Sequence, residues 1–152
     1  MTTLDIYTDG ACNPNPGVGG WGVVAYQNGR EVWTETGGEM ESTNNRMEMK
    51  AIIESLRLAG GQPCHIFSDS QLCVSTLNLW AASWERNNWT KKTSGPIKNL
   101  ELVREGYVLF RQSKSKIIWV KGHSGVIGNE RADWLANQGR TKIINSRILE
   151  TV

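Results

Sequence analysis

The stretch LDIYTDGACNPNPG, Leu4 to Gly17, changes character halfway along. Ile6 and Thr8 alternate with Asp5, Tyr7 and Asp9, a period of two with β-branched and aromatic members, which predicts a strand. The run then meets a turn rich in Gly, Asn and Pro, where extended backbone has to stop. Asp9 is therefore expected at a strand end, beside the small residues Gly10 and Ala11. A carboxylate there packs poorly and suits a cation, although a single strand-end Asp more commonly bonds its own turn. Acids further along the chain decide between the two.

Downstream, GGWGVVAYQNGREVWTETG reads as two strands joined at Asn28-Gly29, a strong hairpin signal. Trp21, Val23 and Ala25 fall on one face, with Gly22, Val24 and Tyr26 on the other; the return strand is expected over residues 30 to 36. Three strands on short turns make an antiparallel meander. Ser42-Thr43-Asn44-Asn45 then supplies helix-capping residues, and Met47 to Leu58 contains neither Gly nor Pro. Met49, Ile52, Ile53 and Leu56 recur at helical spacing and predict a broad buried face. Asn45 and Glu48 have capping-box spacing, which offers Glu48 a structural role. Gly60-Gly61 ends the helix.

Cys64 to Ser68 (CHIFS) is a short strand followed at once by Asp69. Strand, crossover helix and strand imply a parallel neighbour. Ligands of open α/β sheets sit beyond the carboxyl ends of strands. Asp9 and Asp69 should then meet at one sheet edge, with Glu48 entering from the helix between them. Three carboxylates from three elements point to a cation site.

Residues 70 to 79 predict a short helix. In LWAASWERNNWTKKTSGPIKN, Trp80, Trp84 and Trp89 are interleaved with Arg86, Lys91 and Lys92, and Lys98 follows; no acid occurs between Glu85 and Glu101. Trp80 and Trp84 share a helical face and could simply pack. Alternation of aromatic and cationic residues equally suits a nucleic-acid backbone. After a Ser94-Gly95-Pro96 turn, a structural helix is expected from about Ile97 to Phe110. Lys116 to Val120 reads as a last strand, leading through a glycine-bearing loop with His123 into a helix from roughly Gly128 to Gln138 that contains Asp133.

The 152 residues, 39% of them hydrophobic, suffice for one globular domain with a proper core. Three cysteines (Cys12, Cys64 and Cys73) without C-x-x-C spacing argue against a disulfide framework or thiolate zinc site. No run resembles a signal peptide or membrane span, so a soluble cytoplasmic protein is expected. The absence of G-x-S-x-G gives a serine hydrolase no support.

The motifs TDGACNPNPGVGGWG, TNNRMEMKA, SDSQ and VKGHSG…NERADWLA occur in order from about Leu4 to Gln138. Together they resemble bacterial type 1 ribonuclease H. The resemblance implies an α/β ribonuclease H-like fold: a five-stranded mixed sheet, its first three strands the meander, flanked by about four to five helices. It implies one catalytic domain over 1–140, with a basic protrusion at about 80–98, and a short tail over 141–152. The implied activity is endonucleolytic hydrolysis of the RNA strand in RNA/DNA hybrids, leaving 5′-phosphate and 3′-hydroxyl ends, by a monomer without obligate protein partner. Carried over by motif, Asp9, Glu48, Asp69 and Asp133 are the metal-binding carboxylates and His123 a mobile loop histidine. The backbone of Gly10, Ala11 and Cys12, with Asn15, Thr43, Asn44 and Asn45, would contact the hybrid. Gln71 would meet the RNA strand, and the segment from Trp80 to Lys98 would form the protrusion. Glu85-Arg86-Asn87-Asn88 departs from the denser basic cluster common at that place.

The chemistry agrees with this resemblance. Two metal ions can activate water and steady the departing 3′-oxygen. Four carboxylates without Cys or His suit Mg2+, with Mn2+ as substitute, better than zinc. Asp9 and Asp69 are expected to be shared between two ions, with Glu48 and Asp133 on either side. Without metal such anions repel one another by several kcal/mol on the order given by Coulomb's law, so their pKa values should rise. His123 is expected to move a proton or aid product release.

Overall fold

The computed structural model describes residues 3–92 and 95–150, so Ser94 of the expected turn lies outside the described residues. Strands β1 (Leu4–Cys12), β2 (Gly17–Gln27) and β3 (Arg30–Ser42) form the antiparallel meander. Asn28 and Gly29, with φ of 52° and 78°, close its hairpin, as the two-residue loop requires. β3 runs on to Ser42, past the expected residue 36, because Gly37 to Glu39 stay paired with β2 and Ser42 pairs with Gly17 beyond an irregularity. With β4 (Cys64–Ser68) and β5 (Lys116–Trp119), the sheet has order β3-β2-β1-β4-β5, and β1, β4 and β5 run parallel.

Helix α1 (Asn44–Ala59) crosses from β3 to β4. Its N-cap is Thr43, whose hydroxyl accepts from Arg46 N–H at 3.2 Å. The capping box expected of Asn45 and Glu48 does not form, which frees Glu48 for another role. Next, α2 (Gln71–Ser75), a π-helical turn (Thr76–Trp80) and α3 (Ala81–Arg86) follow without a break. The predicted helix over 70–79 is thus the first part of a longer helical stretch. α4 (Leu100–Gln112) starts three residues later than expected, at a left-handed Asn99 with φ of 56°.

The final helix, α5 (Ile127–Glu150), continues well past Gln138 and takes in the described part of the tail. Gly139 does not stop it, because the helix presses there against Gly37 of β3: a Cβ on Gly139 would lie 2.0 Å from the Gly37 carbonyl oxygen. No helix among the described residues is long and apolar enough to cross a membrane.

The two sheet faces follow the alternation read in β2. Trp21, Val23 and Ala25 join the main core with Met47, Met49, Ile52, Ile53 and Leu77. Val24 faces α5, where it packs with Ala132 and Leu135, and Tyr7 and Tyr26 border the cluster. Gly22 shares that face because α5 leaves no room for a side chain; its Cβ would lie 2.5 Å from the Ala132 carbonyl oxygen. Close backbone packing here holds α5, and so Asp133, against the strands that carry the other acids.

Candidate active site

β1 and β4 pair in parallel from Leu4 opposite Cys64 to Thr8 opposite Ser68. The next residue on each strand is an acid. Asp69 leaves β4 there, as expected. β1 instead stays paired with β2 as far as Cys12, so Asp9 sits not at a strand end but where β1 loses its parallel neighbour. Glu48 reaches this point from α1. Gly10 permits the approach, since any Cβ there would lie 2.3 Å from Glu48 N. As a result, one carboxylate oxygen each from Asp9, Glu48 and Asp69 lies within 4.8 Å of the others.

These three acids line a cleft of about 610 Å³ together with Asp133, His123 and Asn137. Asp133 comes from α5 and His123 from the preceding loop, where it is exposed with φ of 53°. All five residues expected to be catalytic are therefore brought to one place.

The acids are costly to bury. Asp9 is 5% exposed and Glu48 9%, and Glu48 Oε2 has no hydrogen-bond partner. Burial pushes the Asp9 carboxyl up to about 8. Bonding to Glu48 and to the Gly10 N–H, 2.9 Å from Oδ1, works against that rise, while the Asp69 charge and the Asp133 carboxyl add to it. Glu48 rises well above its ordinary value, again chiefly through burial and then through Asp9. Without a cation, the pair retains a proton at neutral pH. An orphaned buried oxygen among hard oxygen donors fits a hard divalent cation.

Asn129, which the sequence reading passed over, belongs to the same site. It is 3% exposed, and its Nδ2 donates to Asp69 Oδ2 at 3.2 Å. Its spacing of four from Asp133 was the available signal, because both lie on one face of α5.

Of the residues expected to bind substrate, those of the first turn and of the start of α1 lie together at the cleft. Cys12 N–H donates to Asn44 Oδ1 at 2.7 Å, and Asn44 N–H donates to Asn15 Oδ1 at 3.1 Å. Gly10, Ala11, Cys12, Asn44 and Asn45 line the cleft itself, while Thr43 serves as the helix cap just described. Gln71 opens α2 and is exposed.

The aromatic and basic segment divides. Trp80, Trp84, Lys91 and Lys98 line a groove of about 200 Å³ that also reaches Asn45. Trp80 is 42% exposed, its ring centroid 6.2 Å from that of Trp84. Lys92 borders an adjoining hollow with Trp80 and Trp84. Trp89 turns away and packs edge-on against Tyr107 at 6.1 Å, under the Arg104 guanidinium. Arg86 ends α3 in an exposed position, and its neighbour Glu85 is paired with Arg111 at 2.6 Å. Packing thus accounts for Trp89 and partly for Trp84, and leaves Trp80 available to a ligand.

Comparison with known proteins gives this arrangement a family. The RNase H family model matches residues 1–141. The ribonuclease H of Janthinobacterium sp. (strain Marseille) is 43% identical over 141 residues, spanning 91% of this chain and 96% of the relative. That of Bordetella pertussis is 45% identical over 138 residues, spanning 90% and 88%. Among solved structures, LC9-RNase H1, a type 1 RNase H with the type 2 active-site motif, superimposes with a TM-score of 0.82 at 29% identity, over 93% of this chain and 74% of that one. A match of this extent, on a chain whose acids converge as described, places the protein: it belongs to the RNase H family and is an RNase H enzyme.

Proposed function

We propose that this chain hydrolyses the RNA strand of RNA/DNA hybrids, with little sequence preference, leaving 5′-phosphate and 3′-hydroxyl ends. The observation that supports this reading best is the convergence of Asp9, Glu48 and Asp69 within 4.8 Å. Mg2+, or Mn2+ in its place, would be held by these three residues and Asp133. Two such ions, when bound, would supply water activation and charge neutralisation at the scissile phosphate.

The protein's own groups do the rest. Asp9 and Glu48, both raised by burial, would release protons as a cation is bound, and Asn129 keeps one Asp69 oxygen engaged. His123, on its exposed loop, exchanges a proton between cleft and solvent. Asn15 and Asn44 spend their side-chain oxygens on backbone N–H groups. Their NH2 groups are thereby left as donors, suited to phosphate oxygens and to the 2′-hydroxyl that tells RNA from DNA. Gln71 lies on the RNA side, and Trp80 with Lys91, Lys92 and Lys98 receives the DNA strand, where a flat indole accepts deoxyribose. The enzyme acts as a monomer in a reducing cytoplasm, in keeping with its three free, buried cysteines.

A panel of strand-labelled hybrid, duplex DNA and duplex RNA in one Mg2+ buffer tests this function. The RNA strand of the hybrid should be cut, the other strands spared, and chelator should stop the reaction. Preferential cutting of duplex DNA, or cutting in chelator, would overturn the reading.

A further inference from the structure

Arg140 stands on α5 seven residues after Asp133, about two helical turns along the same helix. Its Nη2 donates to the Asn13 carbonyl at 2.7 Å and its Nε to the Val18 carbonyl at 3.1 Å. Those two carbonyls bracket the turn between β1 and β2, which Asn13 N–H closes by donating to the same Val18 oxygen at 3.3 Å. The turn carries Asn15, which meets Asn44, which in turn holds Cys12. One guanidinium therefore joins the wall of the cleft that bears the amides to the helix that bears Asp133. The stem of Arg140 lies along β2, with Cγ 2.9 Å from the place a Cβ on Gly20 would take.

We propose that Arg140 is a positioning residue for substrate: by forking across Asn13 and Val18 it sets the distance between the Asn15–Asn44 amides and the carboxylates. The inference rests on the hybrid-cleaving function proposed above. The effect comes from the fork rather than from the charge. A planar guanidinium reaches two carbonyls in fixed directions, whereas a lysine ammonium is a single point on a flexible stem. With the fork lost, the exposed turn is released on that side, and two carbonyls lose a charged donor. The carboxylates stay in place, because α5 is held on the sheet by Val24, Ala132 and Leu135, and the remaining guanidinium contact, Nη1 to Asn137 Oδ1 beside Asp133, is a long one at 3.5 Å. The damage should fall on hybrid binding and spare the chemical step.

Steady-state cleavage of hybrid by the wild-type enzyme, Arg140→Ala and Arg140→Lys tests this. KM should rise about tenfold in both variants, with kcat within about twofold and the Mg2+ midpoint unchanged. Near-UV circular dichroism establishes that each variant is folded, and the milder lysine change keeps the test open if the alanine variant is not. A wild-type KM in Arg140→Lys, beside a raised one in Arg140→Ala, would show that charge alone matters and overturn the inference. So would an unchanged KM in both variants, or a fall in kcat without a change in KM. Failure of the wild-type enzyme to cut hybrid would instead overturn the proposed function.

Discussion

Asp69→Asn is expected to lower the rate of hybrid cleavage by about 10³-fold or more, with hybrid affinity held within a few-fold. Asp69 stands at the end of β4, and one of its oxygens lies within 4.8 Å of oxygens on Asp9 and Glu48. The substitution removes one negative charge from the proposed cation site and leaves the shape nearly unchanged. An amide oxygen can still accept from Asn129, so the loop and α5 should keep their places. What disappears is charge stabilisation of several kcal/mol, at roughly 1.4 kcal/mol per tenfold in rate. Affinity should hold because the proposed substrate contacts, Asn15, Asn44 and Trp80, sit on other elements. Single-turnover cleavage and fluorescence anisotropy measure the two quantities separately. A cleavage rate within tenfold of wild type would remove Asp69 from the mechanism.

The second large effect is on stability. In chelator, the protein should become less stable as pH rises from about 4 to about 8. Asp9 titrates near its ordinary value in the unfolded chain and at about 8 in the folded one. Between those values the folded state holds a proton that the unfolded state has lost, so rising pH favours unfolding. One such proton gives a slope of about 1.4 kcal/mol per pH unit, hence up to about 4 kcal/mol between pH 5 and pH 8. Glu48, raised in the same direction, steepens the dependence. Urea unfolding at the two pH values gives the comparison. Asp9→Asn should flatten the slope and raise stability at pH 8, and saturating Mg2+ should do the same for the wild-type chain. An equal slope in wild type and variant would show that Asp9 is not the strained group.

Much of this site could be read before any coordinates. Period-two alternation in β2 assigned Trp21, Val23 and Ala25 to the main core and Gly22, Val24 and Tyr26 to the other side, where α5 packs. Two strands joined by a crossover helix, each carrying an acid after its apolar run, foretold the meeting of Asp9 and Asp69, although Asp9 lies within β1, at the point where its pairing with β4 stops, rather than at the strand end. Harder were choices among residues of equal local fitness. Thr43, Asn44 and Asn45 can all cap a helix; Asn44 is drawn away by Cys12, a contact 32 positions distant, and Thr43 caps. The length of α5 escaped because a glycine ordinarily stops a helix, whereas Gly139 is needed for the close approach to β3. Trp80 and Trp89 look alike in sequence. Only the placement of Tyr107 and Arg104 shows that Trp89 is taken up by packing.

Everything proposed for this enzyme requires that Asp9, Glu48, Asp69 and Asp133 hold divalent cations in one cleft. Anomalous diffraction from crystals soaked in Mn2+ tests it most directly. Anomalous peaks are expected between the Asp9, Glu48 and Asp69 carboxylates, with Asp133 alongside. Anomalous density only elsewhere on the molecule, with that cleft empty, would contradict it.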